Sequence, residues 1–286
     1  MNATIDALLA DAVRRLANAS DSPSLDAELL LCHALGRDRG YLRAHPESAP
    51  SLDELQAFEK LIAGRAGGEP IAYLTSKREF WSLPLKVTPA TLIPRPETER
   101  LVELALERIP IDAGFCVLDL GTGSGAVALA IAHERPRIHV TATDKSAEAL
   151  QVARENAASL GITNVEFMEG DWFAALGGRR FQVIVSNPPY VTEADTHLRH
   201  GDVRFEPRTA LVAGPDGLDS LRRIIQAAPE HLETGGSLLL EHGLDQGAAV
   251  RALLQAAGYS AVETWRDLAG LERVSGARWS KRRAPG

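Results

Sequence analysis

Asn187-Pro188-Pro189-Tyr190 is the stretch of this chain whose residue types and spacing could do chemistry most directly. It follows the apolar run Phe181–Ser186, so it reads as a turn at the carboxyl end of a buried strand. Two successive prolines fix φ and donate no N–H, which leaves the turn stiff and its carbonyl oxygens free to accept. The Asn187 side chain adds an acceptor oxygen, and Tyr190 adds a flat apolar ring. Rigid acceptors beside an aromatic platform suit a planar guest that carries an NH2 group. The same four residues could instead do no more than end a strand, so their neighbours must decide.

A second element is the turn Gly121-Thr122-Gly123-Ser124-Gly125. Its glycines let the backbone bend sharply and approach a ligand without Cβ clashes. Gly121, Gly123 and Ala126 also satisfy the permissive G-x-G-x-x-A dinucleotide fingerprint, and Asp144 is placed to accept from ribose hydroxyls. The loop therefore indicates an adenosine cofactor without choosing between nicotinamide and S-adenosylmethionine. Three neighbours choose. Asp119 directly precedes the loop, Asp171-Trp172 follows the third expected strand, and Asn187-Pro188-Pro189-Tyr190 ends the fourth. In that order they look like the motifs of S-adenosylmethionine-dependent methyltransferases, and the last resembles the (N/D)PP(Y/F) signature of those acting on amide or exocyclic amino nitrogens. Trp172 taken alone could equally be a core residue.

An amide or aromatic amine nitrogen is a poor nucleophile because its lone pair is delocalised. Acceptors at Asn187 Oδ1 and the Pro188 carbonyl would hold both N–H bonds, align the nitrogen with a sulfonium methyl, and stabilise charge developing in an in-line transfer. Tyr190 would stack on the planar group and exclude water.

The elements that must carry these residues fall into two textures. Apolar residues recur at helical spacing in Ile5, Leu8, Leu9, Ala12, Val13 and Leu16, and again in Leu25, Leu29, Leu30 and His33. Gly36 supplies a stop, and Ser51 with Glu54 forms a capping-box pattern ahead of Leu55, Phe58, Leu61 and Ile62. Residues 1–75 are expected to form a small helical bundle that recognises the substrate, and 76–92 a β-hairpin or extended linker containing Phe80, Trp81, Leu83, Leu85 and Val87. Residues 93–286 are expected to form the catalytic domain. Strands are expected at 115–120, 138–143, 165–168, 181–186 and 237–241, with helices over 126–132 and 147–160. That rhythm predicts an α/β, doubly wound parallel sheet with ligands at the carboxyl ends of its strands. The runs 260–265 and 272–279 leave no room for a helix and should pair antiparallel. An antiparallel last strand resembles class I methyltransferases, whose fold is a Rossmann-like seven-stranded sheet.

With 286 residues the chain has room for two domains, and its formal net charge of −7 argues against a dedicated duplex-DNA binder. Cys32 and Cys116 stand far apart without CxxC spacing and read as small core hydrophobes in a reducing compartment. The N-terminus shows no secretory pattern and no apolar run spans a bilayer, so a cytoplasmic protein is expected. The tail from Lys281 onward reads as a solvated end.

Seven motifs occur in order: Gly68-Glu69-Pro70-Ile71-Ala72-Tyr73-Leu74, Phe80-Trp81, Leu92 to Glu99 (Leu-Ile-Pro-Arg-Pro-Glu-Thr-Glu), Asp119 to Gly125, Ser186 to Tyr190, Phe205-Glu206-Pro207 and Glu241-His242-Gly243. Together they resemble the bacterial PrmC (HemK) family, the N5-glutamine methyltransferases of class I peptide release factors, from end to end. The resemblance implies methylation of the glutamine in the release factor's Gly-Gly-Gln tip, with consequences for translation termination. It also implies cofactor contacts at Gly121, Thr122, Gly123, Ser124, Gly125, Asp144, Trp172 and Asn187. Catalytic roles fall on Asn187, Pro188 and Tyr190, and substrate contacts on Asn187, Pro188, Pro189 and Tyr190. No metal is expected: His197 and His200 share an HxxH spacing without a third ligand. Arg95 and Glu97 could shape the wall of the site or cap the following helix. Glu206 and Arg208 are expected to organise the loop after the turn, and His242 to be structural rather than a base. We expect a monomer that meets neither nucleic acid nor membrane directly. Two rivals remain: a glutamine methyltransferase of a ribosomal protein, and an N6-adenine or N4-cytosine nucleic-acid methyltransferase, which would want a basic recognition domain. A non-enzyme scaffold survives only if S-adenosylmethionine does not bind.

Overall fold

The computed structural model describes residues 3–280. Residues 281–286, which include the expected solvated end, lie outside it. The chain divides into two compact units. One comprises the chain through Lys77 together with Thr196–Phe205, and the other comprises Arg78–Asp195 and the chain from Glu206 onward.

The first unit is helical: α1 (Ile5–Leu16), α2 (Pro23–Leu35), α3 (Arg39–Ala44), α4 (Leu52–Ala66) and α5 (Ile71–Thr75). Thr4 caps α1 by accepting from Ala7 N, and the Ser51/Glu54 capping box is formed at α4. Gly36 closes α2 in the left-handed region, its N–H turned back to carbonyls of the last turn. Ile5, Leu8, Ala12 and Leu16 pack against Phe58 and Ile62, as the spacing predicts. In α2 the face differs from expectation. Ala27, Leu30 and Leu31 are buried, whereas Leu25 and Leu29 stay 41% and 36% exposed and His33 faces solvent. The reason is polar: Asp26 is buried and accepts from Arg65 Nε at 2.7 Å and from Ser20 Oγ at 2.7 Å, which turns the helix toward that pair. Arg65 also donates to the Glu69 carbonyl and to Asp202 at 2.9 Å, and Arg204 donates to the Gly67 carbonyl. These bonds explain why Thr196–Phe205, though it follows Tyr190 closely in sequence, folds with the helices.

A two-stranded hairpin follows, β1 (Lys77–Phe80) and β2 (Leu83–Lys86). Trp81 and Ser82 both adopt positive φ, as a two-residue type I′ turn requires. The Trp81 N–H donates to Glu99 and its indole N–H to Glu134, which offsets the strain. Phe80, Leu83 and Leu85 are buried in the core of the second unit, so the hairpin is a packed element and not a free linker.

The rest alternates: α6 (Glu99–Arg108), β3 (Cys116–Leu120), α7 (Ala126–Glu134), β4 (His139–Asp144), α8 (Ala147–Leu160), β5 (Val165–Glu169), β6 (Phe181–Ser186), α9 (Asp219–His231), β7 (Leu232–Glu241), α10 (Gly247–Ala256), β8 (Ser260–Arg266) and β9 (Glu272–Arg278). The sheet order is β5-β4-β3-β6-β7-β9-β8. Its strands run parallel except β9, which is antiparallel to both β7 and β8. Strand order reverses between β3 and β6, and there the carboxyl ends leave a crevice. One face of the sheet packs on Leu101, Leu104, Leu129 and Ile131, the other on Leu221, Ile224, Val250 and Leu254. Cys32 and Cys116 are only partly buried, and neither is in a disulfide.

Candidate active site

A cavity opens at this switch point. Gly121, Thr122, Gly123 and Ser124 form its floor, with Asp119 behind them and Asp144, Trp172 and Asn187 on its walls. Strand register builds the floor. Leu120 pairs with Thr143 on one side and Ser186 on the other, and the Ser186 hydroxyl donates to the Leu120 carbonyl at 2.7 Å. Gly121 and Thr122 both donate their N–H groups to the Thr143 carbonyl. The turn is thus anchored before Gly123, whose N–H reaches Asp144 Oδ2 at 2.9 Å, while Asp144 Oδ1 accepts from Ser146 N.

Gly121 and Gly123 sit at φ 72° and 57°. A Cβ on Gly123 would meet no atom within 4 Å, so it would project into open space beside the loop, and one on Gly121 would touch the Trp172 ring at 3.4 Å. The loop is a backbone cradle that side chains would occupy, as a flat, hydroxyl-bearing ligand needs. Gly125 differs. A Cβ there would press on Leu129 at 3.0 Å and Ala153 at 3.2 Å, and φ is 84°, so packing and backbone both favour glycine at a position outside the cavity lining. Trp172 serves both readings: its ring lines the cavity and packs on the core cluster beneath, with its backbone at φ 56°. The Thr143 hydroxyl holds the Trp172 carbonyl at 3.2 Å.

Asp119 is fully buried, and burial pushes its carboxyl up to about 7 against the pull of the Thr122 hydroxyl, which donates to it at 2.7 Å. A carboxyl held near neutrality stands ready to ionise beside a cation.

At the other end of the cavity the turn after β6 places Asn187 and Pro189 on the lining. Pro188 is buried and Tyr190 half-buried, and neither belongs to the lining. Tyr190 turns its hydroxyl toward Glu241 Oε1 at 3.4 Å, while its carbonyl accepts from Gln246 Nε2. Asn187 Nδ2 donates to Thr98 Oγ1 at 3.1 Å. Thr98 sits at the end of the short 3-10 turn Pro96–Thr98 and lines the cavity. Glu241 ends β7 after three buried leucines, and burial drives its carboxyl up to about 7 against the Thr98 and Tyr190 hydroxyls and the Arg273 charge.

Leu92 and Pro94 on one side and Pro207, Thr209 and Ala210 on the other complete the wall. Glu206 fastens the two: one oxygen pairs with Arg95, the other accepts from Ile93 N at 3.1 Å. Arg95 therefore shapes the wall rather than capping α6, and Glu97 is exposed. His242 is fully buried, with Nδ1 against the Gly243 carbonyl and Nε2 against the Ser275 hydroxyl, both at 2.8 Å. Burial lowers its pKa and both nitrogens are engaged, so it is a structural residue. His197 and His200 are exposed, and among the described residues no group of three His, Cys, Asp or Glu could hold a metal.

Sequence reading assigned no role to Thr98, Glu241 or Asn156. Asn156 of α8 accepts from Lys86 N and donates to the carbonyls of Lys86 and Ser124, joining β2 to the glycine turn. A signal existed for Glu241, an acid that closes the buried run Leu238-Leu239-Leu240. None existed for Asn156 or Thr98, whose partners lie far away in sequence.

The PrmC N-terminal domain family matches residues 7–75, and the methyltransferase small domain family matches residues 100–205. The chain is 52% identical to the release factor glutamine methyltransferase of Vibrio cholerae over 96% of both chains. It is 51% identical to that of Escherichia coli K12, with 95% of this chain and 97% of that one covered. Among solved structures, a methyltransferase from Pyrococcus furiosus shares the fold, with TM-score 0.52 at 20% identity over 69% of this chain and 89% of that one.

Proposed function

We propose that this chain, which belongs to the release factor glutamine methyltransferase family, transfers a methyl group from S-adenosylmethionine to the side-chain N5 of the glutamine in the Gly-Gly-Gln motif of class I release factors. The observation that carries the reading is Asn187, set on the wall of a cavity at the sheet's switch point with its NH2 committed to Thr98 and its oxygen left over. The residues fit the cofactor. The bare backbone at Gly121 and Gly123 would hold it, Asp144 would accept from its ribose, Trp172 would lie against its base, and Asp119 stands at the end that would receive its charges. When bound, it supplies an electrophilic methyl on a positively charged sulfur.

The chain's own residues then do four things. Asn187 Oδ1 and the Pro188 carbonyl accept the two N–H bonds of the incoming amide, which fixes the nitrogen's direction of attack. The same acceptors stabilise the positive charge that grows on nitrogen, and the proton leaves late. Pro188 and Pro189 keep the acceptors rigid, so little reorganisation accompanies transfer. Leu92 and Pro94 on the cavity wall exclude water. The setting we infer is a cytoplasmic monomer acting on a protein and not on nucleic acid; no helix of the described residues is long and apolar enough to cross a membrane.

The experiment is a substrate panel. With methyl-labelled S-adenosylmethionine, a purified class I release factor should be labelled, and purified ribosomal proteins and duplex DNA should not. Stronger labelling of a ribosomal protein or of DNA adenine would replace the reading with one of its rivals.

A further inference from the structure

The acceptors on the turn Asn187–Tyr190 must be held still, and prolines alone do not hold them. The rings of Pro188 and Pro189 fix two φ angles, but the ψ angles beside them turn freely unless both ends of the segment are fastened. One end is fastened in the sheet, where Ser186 pairs with Leu120 and Leu240. Past the other end, Val191 donates to the Leu211 carbonyl at 2.8 Å and accepts from Ala213 N at 2.9 Å. The Tyr190 carbonyl lies between, and a side chain takes it: Gln246 Nε2 donates to it at 3.0 Å. We propose that Gln246 is a positioning residue for methyl transfer, its side-chain amide clamping the Tyr190 peptide so that the Asn187 and Pro188 oxygens keep their direction.

The Gln246 amide commits both of its polar atoms to backbone. Besides the Tyr190 carbonyl, Nε2 donates to the Gly217 carbonyl at 3.3 Å, in the loop before α9. Oε1 accepts from Gly243 N at 2.9 Å, in the loop after β7. Carbonyls only accept and an N–H only donates, so the amide fits one way round, and a half-turn would break all three bonds. Three loops at the carboxyl end of the sheet thus meet at one side chain. The backbone leaves room for it. A Cβ on Gly217, at φ 72°, would stand 2.3 Å from the Tyr190 carbonyl oxygen and 2.8 Å from Gln246 Nε2. One on Gly243 would stand 3.1 Å from Gln246 Oε1. The start of α10 is served by the Gln246 backbone, whose N–H donates to the Gly243 carbonyl and whose carbonyl accepts from Val250 N. A shorter Ser, Asp or Asn would suit that helix start as well. The longer amide is what reaches back to Tyr190.

The role of Gln246 rests on the glutamine-amide reading, and the experiment keeps the two apart. Methyl-transfer kinetics on a purified class I release factor would compare the wild type with Gln246→Met and Gln246→Glu, well below each melting temperature. Calorimetry would follow binding of S-adenosylhomocysteine to each. Gln246→Met keeps the length and loses the polar atoms. Gln246→Glu, ionised at about pH 8, keeps an oxygen for Gly243 N–H but sets the other against two carbonyls. Both should lower kcat by about tenfold or more, while KM for the release factor and cofactor affinity stay within about threefold, because neither depends on the direction of attack. Wild-type kcat in Gln246→Met overturns the proposal. So does wild-type kcat in Gln246→Glu, which would confine the side chain's role to the Gly243 contact. Cofactor affinity falling in step with kcat would make Gln246 a general support of the sheet's end and overturns it too. A wild type that binds S-adenosylhomocysteine but labels no release factor rejects the glutamine reading, and the role of Gln246 with it.

Discussion

Asn187 is the residue on which transfer should depend most. Asn187→Ala removes the acceptor and is expected to lower kcat by about 10²–10³, or roughly 3–4 kcal/mol, the scale on which a single preorganised oxyanion-hole donor counts. Cofactor affinity should fall much less, because the glycine turn does not depend on Asn187; steady-state kinetics with calorimetry would separate the two. Asp119 gives a pH prediction. Its carboxyl titrates at about 7 in the folded chain and at roughly 4 when unfolded. Between those values the folded state keeps a proton that the unfolded state has released, so this group's contribution to stability falls as pH rises from about 4 to 7. Asp119→Asn removes the titration, and its melting temperature should gain on the wild type by roughly 3 °C or more between pH 5 and pH 8. A gap that does not change with pH would refute the assignment. Asn187, Asp144 and the glycines could be read from sequence because each belongs to a short local pattern. Thr98 could not, since its meaning comes from Asn187, which lies on another element.

At the scale of elements, β3 and β6 were readable because buried parallel strands are largely apolar runs, and β4 and β5 from the rhythm they keep with the helices between them. The antiparallel pairing of β8 with β9 followed from the lack of room for a helix between them. The face of α2 was not readable. A pattern that counts apolar residues points to Leu25 and Leu29, but the buried Asp26–Arg65 pair rotates the helix away from them. Nor was the packing of the hairpin readable, since it depends on Asn156 of α8 bonding to both the N–H and the carbonyl of Lys86. Asn156→Ala should therefore act twice. It leaves buried backbone groups unpaired and should cost about 2 kcal/mol, seen as a lower urea midpoint. It also frees the Ser124 carbonyl, so cofactor affinity should weaken as well. Lost stability with unchanged cofactor affinity would show that the glycine turn holds itself.

Over the whole molecule, the excess of acidic residues and the division into a helical unit and a sheet unit bear on partner choice. A glutamine amide is chemically ordinary, and a cavity that grips one cannot tell it from others. Selection must come from surface outside the cavity. It is expected on residues 1–75, and Thr196–Phe205 joins that unit through Arg65–Asp202 and Arg204. That long-range capture could not be foreseen, because its partners lie 137 residues apart in sequence. The central claim is that one glutamine in a Gly-Gly-Gln tip is the acceptor, and mass mapping tests it most directly. The full-length protein would be incubated with S-adenosylmethionine and a purified class I release factor, either unaltered or with that glutamine replaced, and the digested peptides analysed. We expect a single methyl on the tip glutamine of the unaltered factor and none on the substituted one. Equal methylation of the two factors, or a methyl on any other residue, would contradict the account.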